Sequence, residues 1–133
     1  MVDQALAVAL DELIDAIQET KQAVWLTRDV GQHRALEALQ SFLGKQAGEI
    51  SAAEARIDGR SPFLVSPSAR RPPNLAARAG GDHSLMLELL LGDLEALSAD
   101  VRQQAGRIAG REEAQLLTRL ADGVDEHLAV LRR

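Results

Sequence analysis

The chain has 133 residues, no cysteine, three histidines, and 15 basic against 20 acidic side chains, a formal charge of −5. That length suits one domain with one core, the missing cysteines exclude disulfides and thiolate metal centres, and the negative balance disfavours non-specific attraction to phosphate. Trp25, Phe42 and Phe63 are the only aromatics, which excludes a stacking platform for single-stranded nucleic acid and leaves aliphatic packing to build the core.

The first apolar stripe is Leu6, Leu10, Leu13, Ile17 and Val24, a spacing that predicts an amphipathic helix. Asp3 precedes its apolar start and Asp11 and Glu12 follow it, so it reads as a helix rather than a secretory leader. After a break around residues 29–31, the stripe resumes as Leu36, Leu39, Leu43, Ile50 and Ile57. Asp29 with Gln32 three residues on predicts a capping box, and Gly31 eases the turn, making the two helices antiparallel.

From Asp58 to Gly81 the periodicity vanishes. The segment holds all four prolines (Pro62, Pro67, Pro72, Pro73), together with Arg60, Arg70, Arg71 and Arg78, and no acidic residue between Gly59 and Gly81. Residues 59–81 are therefore expected to be a linker, with room for a short helix near residues 74–78. A third helix is predicted from Leu87, Leu90, Leu91, Leu94, Leu97, Val101 and Ile108, begun by Asp82 and His83. A fourth follows Gly110 and carries Leu116, Leu117, Leu120, Val124, Leu128 and Leu131. Glu112 and Glu113 in its first turn and Arg132 and Arg133 in its last match the helix dipole. The most apolar run, residues 85–91, contains Glu88 and falls short of the roughly 20 residues that cross a bilayer. No membrane partner and a cytoplasmic location are expected.

Helices of about 26 residues are roughly 39 Å long, and a linker of about 23 residues can run that full length. The expectation is an all-α single domain, residues 1–133, built as a four-helix bundle with a long crossover between its second and third helices. Ferritin-like bundles use this connection, whereas up-and-down bundles have no need of it.

Lys21-Gln22-Ala23-Val24-Trp25, then Arg28, then Glu54-Ala55-Arg56-Ile57 resemble the Dps miniferritins, the DNA-binding proteins from starved cells. In that family a Lys-x-x-His-Trp element closes helix one and Glu-Arg-Ile closes helix two. Leu90-Leu91-Gly92-Asp93 with Leu97, and Leu116-Leu117-Thr118 with Leu131-Arg132, resemble its last two helices. The likeness spans nearly the whole chain. It implies assembly into dimers, and further into a twelve-subunit shell, through a seam of helices one and two, with Val24, Trp25, Leu36 and Ala55 at the subunit interface. It also implies iron storage and stress response.

The family's iron-oxidising site, shared between two subunits, takes two histidines, an aspartate and a glutamate. Here those positions fall on Val24, Leu36, Ser51 and Ala55, which offer no imidazole or carboxylate. No Glu-x-x-His pair supplies an in-bundle site instead. No catalytic residue and no resident cofactor are therefore expected at the family site. Aliphatic side chains in their place remove a desolvation cost from the seam.

Three functional readings follow. The first is a non-catalytic homo-oligomeric subunit. The second is an iron-binding ferroxidase or storage protein using displaced ligands, with His33, Glu37, Glu54 and Asp58 as metal candidates; His33 and Glu37 alone read as an exposed helical pair, and Glu49 with Glu54 and Asp58 as a solvated acidic face. The third is an adaptor that contacts DNA or a protein through Arg60, Arg70, Arg71 and Arg78, in place of the lysine-rich tail that many Dps proteins carry ahead of helix one. His83 and His127 read as a cap neighbour and a surface position. Gly44, Gly48, Gly92 and Gly123 each lower helix propensity and are read either as close approach of a neighbouring backbone, most naturally across a subunit interface, or equally as drift on a relaxed surface.

Overall fold

The computed structural model describes residues 4–58, 75–108 and 110–133, leaving aside the side chains of Gln4, Ile57 and Asp58. Arg60, Arg70 and Arg71 lie outside the described residues, as does the Asp58 side chain. The described backbone is all-helical, with α1 (Gln4–Leu26), α2 (Val30–Asp58), a short α3 (Leu75–Ala79), α4 (His83–Arg107) and α5 (Arg111–Leu131).

Local chemistry sets these boundaries. Asp29 ends the turn after α1 by accepting the Gln32 N–H on its carboxylate at 2.8 Å, while its carbonyl accepts the His33 N–H, so two orphan donors of α2 are satisfied. Gly80 and Gly81 adopt φ of 59° and 84°, a left-handed geometry that side chains other than glycine resist. It lets the chain leave α3 and turn at once into α4. Asp82 then caps α4 through Oδ1, which accepts from the Ser84 and Leu85 N–H groups at 2.9 and 3.1 Å. Gly110 opens α5 without a side-chain cap, and Glu112 and Glu113 in the first turn face the dipole. At the other end of α5 the expectation needs correction. The helix closes at Leu131, and Arg132 is its C-cap rather than a last-turn residue, with its guanidinium paired to Glu95 of α4.

The four long helices form a ring in which α1 packs on α2 and α4, and α5 packs on the same two. Every adjacent pair is antiparallel. Along α4 and α5 the pairs Glu95–Arg132, Ser98–Asp125 and Arg102–Asp122 run in opposite order. In the grooves between helices, Glu49 and Ala53 face Leu116, while Gly31 and Ala35 face Val130 and Leu131. On the remaining side Glu12 and Glu19 share a groove with Asp93 and Asp100, and Arg78 links Glu19 to Asp93. The course is therefore up, down, down, up, with α2 and α4 parallel across a diagonal. Asp58 and Leu75 consequently lie at opposite ends of the bundle.

Leu6, Leu13, Leu36, Leu39, Leu43, Leu90, Leu94, Leu117 and Leu120 are sealed from solvent. At roughly 25 cal/mol per Å² of apolar surface, this aliphatic interior is the main source of stability. Polar atoms in it are mostly satisfied: the Thr20 hydroxyl donates to the Ala16 carbonyl at 2.7 Å. Gln46 is the exception, since its buried Oε1 accepts no hydrogen bond.

The glycines divide into two kinds. Gly44 and Gly48 lie on the exposed side of α2, and a methyl group on either, or on Gly92, would meet nothing within 4 Å. Among the described residues no close approach accounts for them. Gly123 is different, because a Cβ there would run into the Phe42 ring, which lies across α5 and reaches His127 with ring centroids 5.1 Å apart. Burial against this ring lowers the pKa of His127 below the usual histidine value, with Glu126 opposing.

Two expected outcomes test this packing. Gly123→Ala should cost about 1–3 kcal/mol in urea denaturation, since Phe42 must leave its position, whereas Gly44→Ala should be neutral or stabilising. Gln46→Met should raise stability by about 1 kcal/mol, because it removes a buried acceptor that forms no bond; a loss of similar size would mean that this oxygen is paired in solution.

Candidate functional site

The four positions that the family uses for iron separate along the structure. Val24 and Ala55 are half-buried and Ser51 is buried. Leu36 has 0% exposure and belongs to the central core. Its expected place at a subunit interface is corrected: the α2 stripe turns it inward, and it cannot touch a partner while the bundle is closed. Leu36 and Ala55 are also roughly 28 Å apart along α2 at 1.5 Å per residue, so one chain does not bring them together.

His33 Nε2 lies 3.4 Å from Glu37 Oε1, both partly exposed one turn apart, the geometry of a surface helical pair. Glu54 is half-buried and engaged elsewhere. Glu49 instead lines a groove with Arg56, Glu112, Glu113 and Arg119, a set of mixed sign. Among the described residues no three His, Cys, Asp or Glu side chains are placed to hold a metal ion.

Trp25 is where surface and sequence coincide. Its indole is 82% exposed, Leu26 lines the same groove, and Val30, across the turn to α2, is exposed as well. A large aromatic costs most when left in water, and exposed apolar groups that are contiguous mark contact surfaces more often than single ones. Beside the indole lies a groove of about 480 Å³ walled by Gln18, Lys21, Gln22 and Leu26 of α1 and by Ala76 of α3. Leu26 and Val30 stand outside the inward stripe and bracket the Asp29 cap, a placement visible in the sequence once the turn is located.

α3 is held by an ionic cluster that the sequence reading missed. Arg78, expected as a nucleic-acid contact, instead donates from Nη1 to Glu19 Oε1 and to Asp93 Oδ2, each at 2.9 Å. Its charge is thereby committed to two carboxylates, which corrects the earlier expectation. Glu19 is only 6% exposed. Burial, reinforced by the hydrogen bond and charge of Asp93, raises its pKa from the ordinary 4.5 to about 8, against the opposing pull of Arg78. For Asp93 burial also acts upward, but hydrogen bonds from Glu19 and Arg78 outweigh it and hold the carboxyl below its usual value. With Glu19 protonated, the cluster carries one guanidinium, one carboxylate and one neutral carboxylic acid. A second guanidinium cluster, Arg102 with Asp122 and Asp125 and the Ser98 hydroxyl on Asp125, lies on the exposed α4–α5 face, where such pairs contribute little.

Comparison of the chain with protein-family models, with curated proteins and with solved structures finds no match. No described helix is long and apolar enough to cross a membrane.

The cluster dictates a pH profile. The folded-state pKa of Glu19 lies above the unfolded one, so its contribution is fully present below about pH 4.5 and is lost as pH rises through about 8. The folded pKa of Asp93 is depressed, so its contribution is present above the ordinary 3.8 and lost as pH falls. Urea denaturation should show wild-type stability declining from about pH 5 to about pH 9, with Glu19→Gln removing most of that decline. Equal slopes for the two proteins would place the Glu19 carboxyl in water.

Proposed function

We propose that the chain is a ferritin-like, Dps-related subunit whose role is self-assembly, with no iron oxidation at the family's site. The observation that carries this reading is the exposed Trp25 patch, which falls on the helix-one and helix-two corner where the resemblance puts the dimer seam. The up, down, down, up course, with parallel helices across a diagonal, supports the ferritin-like class, because that course requires one long connection between the second and third long helices.

The patch suits a two-fold contact. In such an interface each surface meets its own copy, so its rim has to carry both signs to avoid like-charge repulsion. Lys21 and Arg28 beside Asp29 do so, and all three are exposed. Trp25 supplies the aromatic anchor on which contacts of this kind concentrate their energy. Leu26 and Val30 replace Leu36 as the apolar contributors, with Val24 half-buried behind them. Val24, Leu36, Ser51 and Ala55 in the four ligand positions argue against iron oxidation there, since none supplies a hard anionic or imidazole donor.

Light scattering should give the wild type a solution mass of two chains or more, and Trp25→Glu should reduce it to one chain with unchanged helicity. A wild type that stays a single chain on about tenfold concentration would overturn the assembly reading. Fe(II) under air should yield ferric absorbance no faster than buffer alone, and a protein-dependent rate abolished by His33→Ala would instead establish the displaced-ligand ferroxidase.

A further inference from the structure

Three features of the described chain meet at one end of the α1–α4 groove. The first is a hinge, Gly80–Gly81, two consecutive residues at positive φ joining α3 to α4. The second is a seat. The Leu75 side chain is sealed from solvent and Ala79 is buried, while the Leu75 N–H donates to Gln22 Oε1 at 2.7 Å. Arg78 reaches both Glu19 on α1 and Asp93 on α4. The third is a shared wall, because Ala76 of α3 closes the side of the Trp25 groove. α3 is only five residues long, so these few contacts decide whether it stays in place.

We propose that α3 is a proton-controlled wall of the Trp25 groove, seated while Glu19 is neutral and swung out on Gly80–Gly81 when Glu19 ionises. On the assembly reading above, on which this regulation rests, the seated form is the one that self-associates. Removing α3 takes Ala76 away from the indole and leaves a partner a groove open on its α3 side.

The electrostatics follow from what faces Glu19. From α3 comes Arg78, and from α4 come Asp93 and, further along the groove, Asp100. Glu12 and Asp15 of α1 line the same groove, which measures about 340 Å³. With Glu19 neutral, Arg78 and Asp93 balance. Ionisation adds a buried negative charge beside Arg78 Nη1, which Glu19 shares with the partly exposed Asp93, beneath a row of further carboxylates. Swinging α3 out opens the carboxylate to water and relieves that cost. The burial that raises Glu19 to about 8 is the same quantity seen from the proton's side. Each pH unit between the ordinary value and the raised one weakens seating by up to about tenfold.

Trp25 is the chain's one tryptophan, so its emission reports the groove directly. In wild-type protein titrated from about pH 4.5 to about pH 9, emission should change with a midpoint between the ordinary carboxyl value and about 8 while far-ultraviolet helicity stays constant. Glu19→Gln should flatten the curve, and Asp93→Asn should shrink its amplitude, because it deletes the carboxylate that competes with ionised Glu19 for Arg78. An unresponsive wild type overturns the proposal, as does a Glu19→Gln curve that matches the wild type. Solution mass, read on the same samples, should fall to one chain above the midpoint in the wild type and remain higher in Glu19→Gln. A single-chain mass at every pH overturns the assembly reading and the regulation built on it, while the emission curves still decide whether Glu19 controls the seat. A multimer whose mass ignores pH, with emission that titrates, overturns the regulation alone.

Discussion

Four helices can share one interior only if each keeps its aliphatic stripe turned to the same axis, and with three aromatics in the chain nothing bulkier than leucine is at hand to fill a misfit. This constraint governs the rest of the molecule. It sets Leu36 inward although a seam position was expected of it, and it requires the ring of antiparallel neighbours that buries Leu13, Leu39, Leu90, Leu94, Leu117 and Leu120 together. It also explains why Phe42, too large for the axis, lies outward across α5 and claims the space over Gly123. The interior is built mainly of leucine and alanine, so much of the discrimination among neighbours falls to the buried residues that are polar.

Among the buried polar residues, two have long side chains on the inward stripes. Gln46 sits between Leu43 and Ile50 on the inward stripe, and Glu19 sits between Ala16 and Ala23 on the stripe of α1. Both carry a desolvation cost; Glu19 has partners that offset part of it, whereas the Gln46 Oε1 accepts no hydrogen bond. The two guanidinium clusters of the molecule make the contrast plain. Arg102 bridges two aspartates on an open face, where water competes with every contact and burial has little to shift. Arg78 bridges a buried glutamate and an aspartate under a short helix, where the same pairing alters protonation. Depth in the structure, more than the identity of the partners, separates a surface ion pair from a group that senses pH.

Much of the backbone was legible beforehand because its signals are local. Leucine spacing marked the four long helices, and Asp29 and Asp82 announced two starts. The misses came from contacts that sequence spacing does not encode. Arg78 finds Glu19 across 59 positions, and the arginine excess around it pointed outward to phosphate rather than inward to α1. An acidic side chain one turn from Ala16 on the inward stripe was the available clue. The terminal arginines were displaced by one residue, within the fraying expected at helix ends. For the seam, the four family positions guided attention along α2, whereas the apolar surface in the folded chain gathers at the turn, where Leu26 and Val30 interrupt no periodicity.

The direction of the helices has one more effect. Because α1 and α5 run one way and α2 and α4 the other, each end of the bundle carries two helix N-termini and two C-termini. The half-charges that backbone dipoles place at those ends therefore cancel in pairs, and neither end offers the fixed backbone field that draws anions to an isolated helix start. The long-range potential of the molecule is left to its side chains, so the acidic furrow between α1 and α4 and the mixed rim around Trp25 set how an approaching body is oriented before contact.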